Sequence, residues 1–143
     1  LGMVSGAVAG LVVITPASGF VEPLPALLMG LLGGVVCFWG ATGLKRRMGW
    51  DDSLDAFGVH GVGGILGAIL TGVFASSAVT GAATLPVLEQ VGIQAASVAA
   101  TLVYGGLASF VLFKLVDLLF GLRVDTDAER QGLDLALHGE RVE

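Results

Sequence analysis

Long stretches without a charged residue constrain this chain more than any other feature of its sequence. Residues 26–44, 56–75 and 91–113 contain no Asp, Glu, Lys or Arg, and a helix needs about 17–25 residues to cross the hydrocarbon core of a bilayer. No stretch alternates apolar and polar residues as barrel strands do, and lipid satisfies no backbone hydrogen bond, so helices are the expected spanning structure. We therefore predict an all-α, polytopic transmembrane helix bundle. Its spans are predicted at about residues 1–15, 26–44, 56–75 and 91–120.

The composition excludes the common classes of soluble protein. Charged residues make up 13% of the chain and the mean hydropathy is +0.89, whereas soluble domains carry about 25% charged residues. The single cysteine, Cys37, excludes an intrachain disulfide. Residues 45–47 form the only basic cluster, so nucleic acid is not an expected partner. With no nucleophile–base pair, metal cluster or phosphate loop in the sequence, we expect neither an enzyme nor a bound cofactor or metal.

The distribution of basic residues predicts which side of the membrane each loop occupies. Four spans place the loop 45–55 and the tail 121–143 on one side, and the loops 15–25 and 76–90 on the other. Every Lys and Arg lies on or next to the first side: Lys45, Arg46, Arg47, Lys114, Arg123, Arg130 and Arg141. Because cytoplasmic loops are enriched in Lys and Arg, we predict a multi-pass protein of the cell membrane with a cytoplasmic C-terminus.

His60 is the one ionisable residue of the third predicted span. On a helical wheel it shares a face with Gly64, Gly67 and Thr71, and the bulky aliphatic residues lie opposite. Ionisable groups within spans are costly and usually face a protein interior or a cavity. Two interpretations stay open from periodicity alone: a structural histidine bonded to a neighbouring helix, or an imidazole that lines a pore and handles protons or ammonium.

A resemblance to a known family favours the second interpretation. The stretch Asp51–Gly64, DDSLDAFGVHGVGG, resembles the signature of the ammonium transporter family (Amt, Mep and Rh proteins), and the glycines after His60 resemble the Amt branch. The likeness covers nearly the whole chain. It extends to residues 14–17, 38–40, 121–124, 129–134 and 138–140.

The resemblance implies a fold and a mechanism. Family members have eleven spans, of which this chain resembles the last four plus the cytoplasmic tail, and they form homotrimers with one pore per subunit between inverted halves. We expect the chain to be a segment of such a protein. Ammonium would be deprotonated and ammonia conducted past two stacked histidines, of which His60 is the second. An ammonium sensor of the same fold is the alternative, and a structural bundle without a ligand is a third possibility.

Other pore residues follow from the same resemblance. Trp39 matches a tryptophan near the inner lumen, although an interfacial anchor is the competing interpretation. Thr15 matches a threonine near the lumen, with a satisfied hydroxyl at a helix end as its alternative. Ser5 is expected to approach the outer pore. For Asp52 and Asp55 we prefer caps at the N-terminus of the third helix, where negative charge is favoured, to a role in ammonium binding.

The tail matches the family pattern at five residues that the resemblance links to regulation. A tail of this kind packs on the cytoplasmic face, contacts the neighbouring subunit and lies where PII-type signal proteins bind; a solvated charged end is the alternative. The matching residues are Arg123, Gly132, Asp134, His138 and Gly139.

The depth of His60 gives a further expectation. It is only one turn into its apolar run, whereas the family places it near the middle of the pore. We therefore expect the third helix to begin before Ala56, with residues 51–55 buried in protein.

Overall fold

The computed structural model describes residues 2–140, so Leu1 of the first predicted span and residues 141–143 of the tail, including Arg141, lie outside the described range. Every regular element of that range is helical, which confirms the predicted all-α class. The α-helices are α1 (Gly2–Ile14), α2 (Pro23–Trp39), α3 (Lys45–Met48), α4 (Val62–Phe74), α5 (Ser77–Thr80), α6 (Val87–Phe120) and α7 (Thr126–Gln131). A 3-10 turn covers Thr15–Ala17, and π-helical turns cover Gly40–Leu44, Phe57–Gly61 and Asp134–His138.

Three continuous helical stretches are long and apolar enough to cross a membrane. They run over Pro23–Met48, Phe57–Phe74 and Val87–Phe120, and Gly2–Ala17 forms a shorter apolar helix. Within α6 no residue is buried, and most of its large apolar side chains are exposed. A water-soluble protein rarely exposes so continuous an apolar surface, and α6 is long enough to reach across a bilayer.

The chain forms two compact units, Leu1–Ala100 and Thr101–Glu143. In the first unit α1, α2 and α4 pack against one another. Their shared core consists of small and medium side chains. The buried apolar residues are Ala9, Val13, Ala17, Met29 and Cys37.

Glycines bring these three helices together. A Cβ atom added at Gly33 would lie 2.8 Å from the Val13 side chain, and one at Gly63 would lie 3.0 Å from Cys37 Sγ. At Gly67 it would collide with the Val13 carbonyl oxygen. Helices in lipid associate through close packing, and small residues permit such approaches.

Local chemistry sets the ends of the helices around this core. Pro23 stands in the first turn of α2, where its missing N–H costs no hydrogen bond. Ser76 accepts from the Ala78 N–H at the start of α5 and donates to Glu22 Oε1 at 2.7 Å. Its own N–H donates to the Phe20 carbonyl at 2.8 Å. The segments that follow α1 and α4 are therefore joined at one residue.

The helix that carries His60 begins at Ala56, so the expectation of an earlier start was wrong. The Asp52 carboxylate accepts the Ala56 N–H at 2.8 Å and the Phe57 N–H at 2.9 Å, which caps the helix there. Asp55 has a left-handed backbone, with a φ of 56°, and this conformation does not extend a right-handed helix.

The second unit holds the end of α6, α7 and the π-helical turn of the tail. Glycines end the tail's helices: Gly132 follows α7 with a φ of 94°, and Gly139 follows the π-helical turn with a φ of 67°. Glycine adopts these backbone angles without the steric cost that a side chain would impose.

Candidate functional site

His60 lies in the π-helical turn Phe57–Gly61, and its side chain is exposed. Within residues 2–140 its ring has no hydrogen bond or ion pair, so the structural alternative, a bond to a neighbouring helix, is not seen among the described residues. Next to it on the helix, Gly64 has no atom within 4 Å of where a Cβ would lie. The ring therefore borders open space in this part of the protein.

The helix face that carries His60 is exposed at His60 and buried further along the helix. Gly67 and Thr71, predicted to lie on the same side, are buried, and the Thr71 hydroxyl donates to the Gly67 carbonyl at 2.8 Å. At Gly67 this side of the helix therefore packs closely against α1. His60 itself stands before this packed region begins.

The start of the His60 helix is held tightly against the end of α2. A Cβ at Gly58 would lie 2.5 Å from the Ala41 nitrogen, and one at Gly40 would lie 3.0 Å from the Gly58 carbonyl oxygen. The Cys37 thiol donates to the Val59 carbonyl at 3.7 Å, a weak bond of the kind sulfur makes. Two π-helical turns, Gly40–Leu44 and Phe57–Gly61, therefore meet backbone to backbone, and such turns are frequent at functional sites.

The loop 45–55 adds polar contacts at the same place. Lys45 Nζ and Asp55 Oδ1 form an ion pair at 2.6 Å, while the Asp52 carboxylate caps the helix. The predicted cap is thus confirmed for Asp52, but the side chain of Asp55 serves the ion pair instead. The ring of Trp50 packs edge-on against Phe57, with centroids 4.8 Å apart. Sequence reasoning missed the pairing of Lys45 with Asp55, because opposite charges in one loop do not reveal their partners.

Two other predicted pore residues, Trp39 and Thr15, have contacts within their own helical stretches. Trp39 is the last residue of α2, and its indole lies 3.0 Å from the position of a Cβ at Gly43. The Thr15 hydroxyl donates to the Leu11 carbonyl at 2.7 Å. Its hydroxyl is therefore satisfied within its own helix, as the structural alternative for Thr15 expects.

A groove of about 590 Å³ lies between α1, α2 and the start of the His60 helix. Of the four predicted pore residues, only Ser5 lines it. Asp55, the last residue of the loop 45–55, lines the same groove. The outer position expected for Ser5 and the cytoplasmic position expected for that loop therefore disagree, and both stay predictions. The lining residues are Gly2, Ser5, Gly6, Ala9, Gly34, Val35, Cys37, Phe38, Ala41, Thr42, Asp55 and Val59.

The predicted tail residues occupy distinct places within the second unit. Arg123 Nη2 pairs with Glu129 Oε1 of α7 at 2.6 Å. Gly132 and Gly139 end helical turns, as described above. Asp134 and His138 are the first and last residues of the π-helical turn between them.

Comparison with known proteins places these features in context. The family model described as "Ammonium Transporter Family" matches residues 1–143. The chain is 47% identical to an ammonium transporter of Bacillus subtilis, over 99% of this chain and 36% of that protein. It is 43% identical to ammonium transporter Amt1 of Archaeoglobus fulgidus, over 98% of this chain and 36% of that one. The chain thus spans about a third of the length of these relatives.

The fold is also similar to solved structures. Saccharomyces cerevisiae Mep2 superposes with a TM-score of 0.74 at 36% identity, covering 86% of this chain and 30% of Mep2. Candida albicans Mep2 gives a TM-score of 0.75 at 29% identity, covering 86% of this chain and 29% of that structure.

Proposed function

This chain belongs to the ammonium transporter family, and on that premise we propose that it forms part of a membrane protein that transports ammonium. The observation that carries this proposal is the family match over residues 1–143, which includes the stretch around His60. The apolar helical stretches Pro23–Met48, Phe57–Phe74 and Val87–Phe120 agree with a membrane location.

We propose that His60 lines the pore of the whole protein. Its ring is exposed and borders open space at Gly64, while Gly63, Gly67, Thr71 and Gly72 of the same helix are buried. Moving a bare cation into a low-dielectric lumen is very costly, whereas a neutral molecule pays far less. Imidazole accepts and donates hydrogen bonds and titrates near neutrality. It can therefore assist the deprotonation of ammonium and form hydrogen bonds with the ammonia that moves past it. Trp39, Thr15 and Ser5 are proposed as further pore residues.

The decisive experiment compares transport with binding in the full-length protein that contains this chain. We expect His60→Asp to abolish methylammonium uptake by cells that lack their own ammonium transporters. The matched control is Val73→Ala on the same helix, which should keep uptake near wild type at equal protein amount. Undiminished uptake by His60→Asp would contradict a pore role for His60.

The same experiment addresses the alternative of an ammonium sensor. A sensor would bind ammonium, as measured by calorimetry on purified protein, without any methylammonium flux in the wild type. We favour transport, because the relatives that match nearly this whole chain are named transporters.

Orientation and partners form a further part of the proposal. We place the tail and the loop 45–55 in the cytoplasm, since every Lys and Arg lies on or next to that side. A fluorescent protein fused to the C-terminus should then be bright, and a dark fusion in well-expressing cells would reverse the orientation. A homotrimer and a PII-type protein bound at the cytoplasmic face, near Arg123 and His138, are proposed from the family resemblance.

A further inference from the structure

Two of the contacts between the start of the His60 helix and the end of α2 lie three residues apart. Asp55, just before the helix, pairs with Lys45. Gly58, inside its first turn, touches Gly40 and Ala41 through backbone atoms. Both partners belong to one continuous helical stretch that runs from α2 through Gly40–Leu44 into α3.

Two contacts constrain the position and the orientation of a helix more than one contact does. The Gly58 contact sets how closely the helix approaches α2, because backbone atoms on both sides cannot yield as a flexible side chain would. Further along, Gly63 and Gly67 hold the same helix against Cys37 and Val13. The Lys45–Asp55 pair ties down the residue that precedes the first turn, and the direction in which His60 projects depends on how that turn is set.

The ion pair is poorly suited to a purely stabilising role. The side chains of Lys45 and Asp55 are 30% and 44% exposed, and exposed pairs contribute little net stability because solvent screens them. Asp55 also adopts a left-handed backbone, with a φ of 56°. Unfavourable backbone angles that persist beside a functional site commonly serve geometry there. The Asp55 carbonyl, in that conformation, accepts the Val59 N–H at 3.0 Å, so it leads directly into the turn of His60.

We propose that Lys45 and Asp55 are positioning residues that set the orientation of the His60 imidazole in the pore and thereby the discrimination between substrates. The inference rests on the proposed function, in which His60 lines that pore. Neither residue touches the substrate in this scheme. Lys45 acts through Asp55, and Asp55 acts through the first turn of the helix.

The test measures a ratio that the amount of folded protein does not change. Purified full-length protein in proteoliposomes would be assayed for methylammonium flux and ammonium flux, and the two would be divided. The variants are Lys45→Met, Asp55→Asn and their combination. Asn tolerates the left-handed backbone of Asp55, so this variant removes the charge and keeps the turn. The matched control is Arg46→Met, a neighbouring exposed cation in α3, and Lys45→Arg is the conservative variant.

We expect each single variant to change the flux ratio by about threefold or more, since a misplacement of about 1 Å in a positioned group can cost up to about 100-fold. The double variant should resemble the single ones, because either change already breaks the pair. Lys45→Arg and Arg46→Met should keep the wild-type ratio.

An unchanged ratio in both single variants, in a protein whose wild type conducts and whose His60→Asp variant does not, would overturn the positioning role alone. Absence of flux in the wild type would instead contradict the proposed function. If neither single variant folds, the pair has a stabilising role, and the positioning proposal is overturned as well.

Discussion

The contact at Gly58 gives the sharpest test of how this bundle is held together. In the substitution Gly58→Ala the new Cβ would lie 2.5 Å from the Ala41 nitrogen, 2.7 Å from the Ala41 Cα and 2.9 Å from the Gly40 carbonyl carbon. Non-bonded atoms normally rest at about 3.5–4.0 Å. The two helices would therefore have to separate by about 1 Å, and all three clashing atoms are backbone atoms that no rotamer change can move.

The expected loss of stability follows from two opposing terms. Overpacking of this kind typically costs about 1–3 kcal/mol. Alanine in a helix gains up to about 1 kcal/mol over glycine. The control Gly106→Ala in α6 has only the favourable term, because a Cβ there meets nothing within 4 Å. The unfolding free energies of the two variants should therefore differ by about 1–3 kcal/mol, which is the overpacking term alone.

The assay is reversible unfolding of purified full-length protein in mixed detergent micelles, with both variants measured against wild type. A companion variant separates steric from other effects. Gly33→Ala would meet the Val13 side chain at 2.8 Å, and trimming that side chain in Gly33→Ala/Val13→Ala should recover part of the loss. If Gly58→Ala proved as stable as Gly106→Ala, the close helix crossing would not exist in the protein.

Three further contacts lead to smaller predicted effects. Asp52→Ala removes a helix cap and should lower the unfolding free energy by about 1 kcal/mol, with Asp52→Asn closer to wild type; equal stability of all three proteins would contradict the cap. Ser76→Ala removes the hydrogen bond to Glu22 and should cost about 0.5–1.5 kcal/mol in the same unfolding assay, whereas Glu22→Gln, which keeps an acceptor, should cost less. Glu129→Ala breaks its exposed pair with Arg123 and should lower the unfolding free energy by less than about 1 kcal/mol, and a larger loss that persists in high salt would show that Glu129 holds the tail in another way.

The sequence predicted the helical class and most of the spanning helices, because the cost of burying unpaired backbone in lipid leaves few alternatives. Its limits at helix ends have physical causes. The start of α6 at Val87 precedes the predicted residue 91, since Pro86 favours a helix start and the polar Glu89 and Gln90 do not prevent one. The Asp52 cap was predictable because it acts over four residues.

The parts that were not predicted depend on contacts between distant residues. A wheel with 3.6 residues per turn assumes a regular helix, so it did not detect the π-helical turns at 40–44 and 57–61. The Lys45–Asp55 pair and the Gly40–Gly58 crossing depend on how α2 meets the next helix, which no local pattern encodes. The sequence allowed candidate pore residues to be named, but it did not predict which of them line the same space. Ser5 lines a groove that His60, Trp39 and Thr15 do not line.

The position of His60 shows which side of a passage the described helices leave open. The core of the first unit lies between α1, α2 and α4 and is closed by glycine contacts at residues 33, 63 and 67. His60 is exposed on the outside of that core, so no conduit beside it can be formed by these three helices alone. If ammonia passes along the His60 ring, the opposite wall of the passage has to come from parts of the protein other than α1, α2 and α4. The family resemblance predicts a second histidine in that wall, placed opposite His60 by an inverted repeat. A whole-protein structure in which lipid or a solid apolar wall covers the His60 ring would exclude conduction past it.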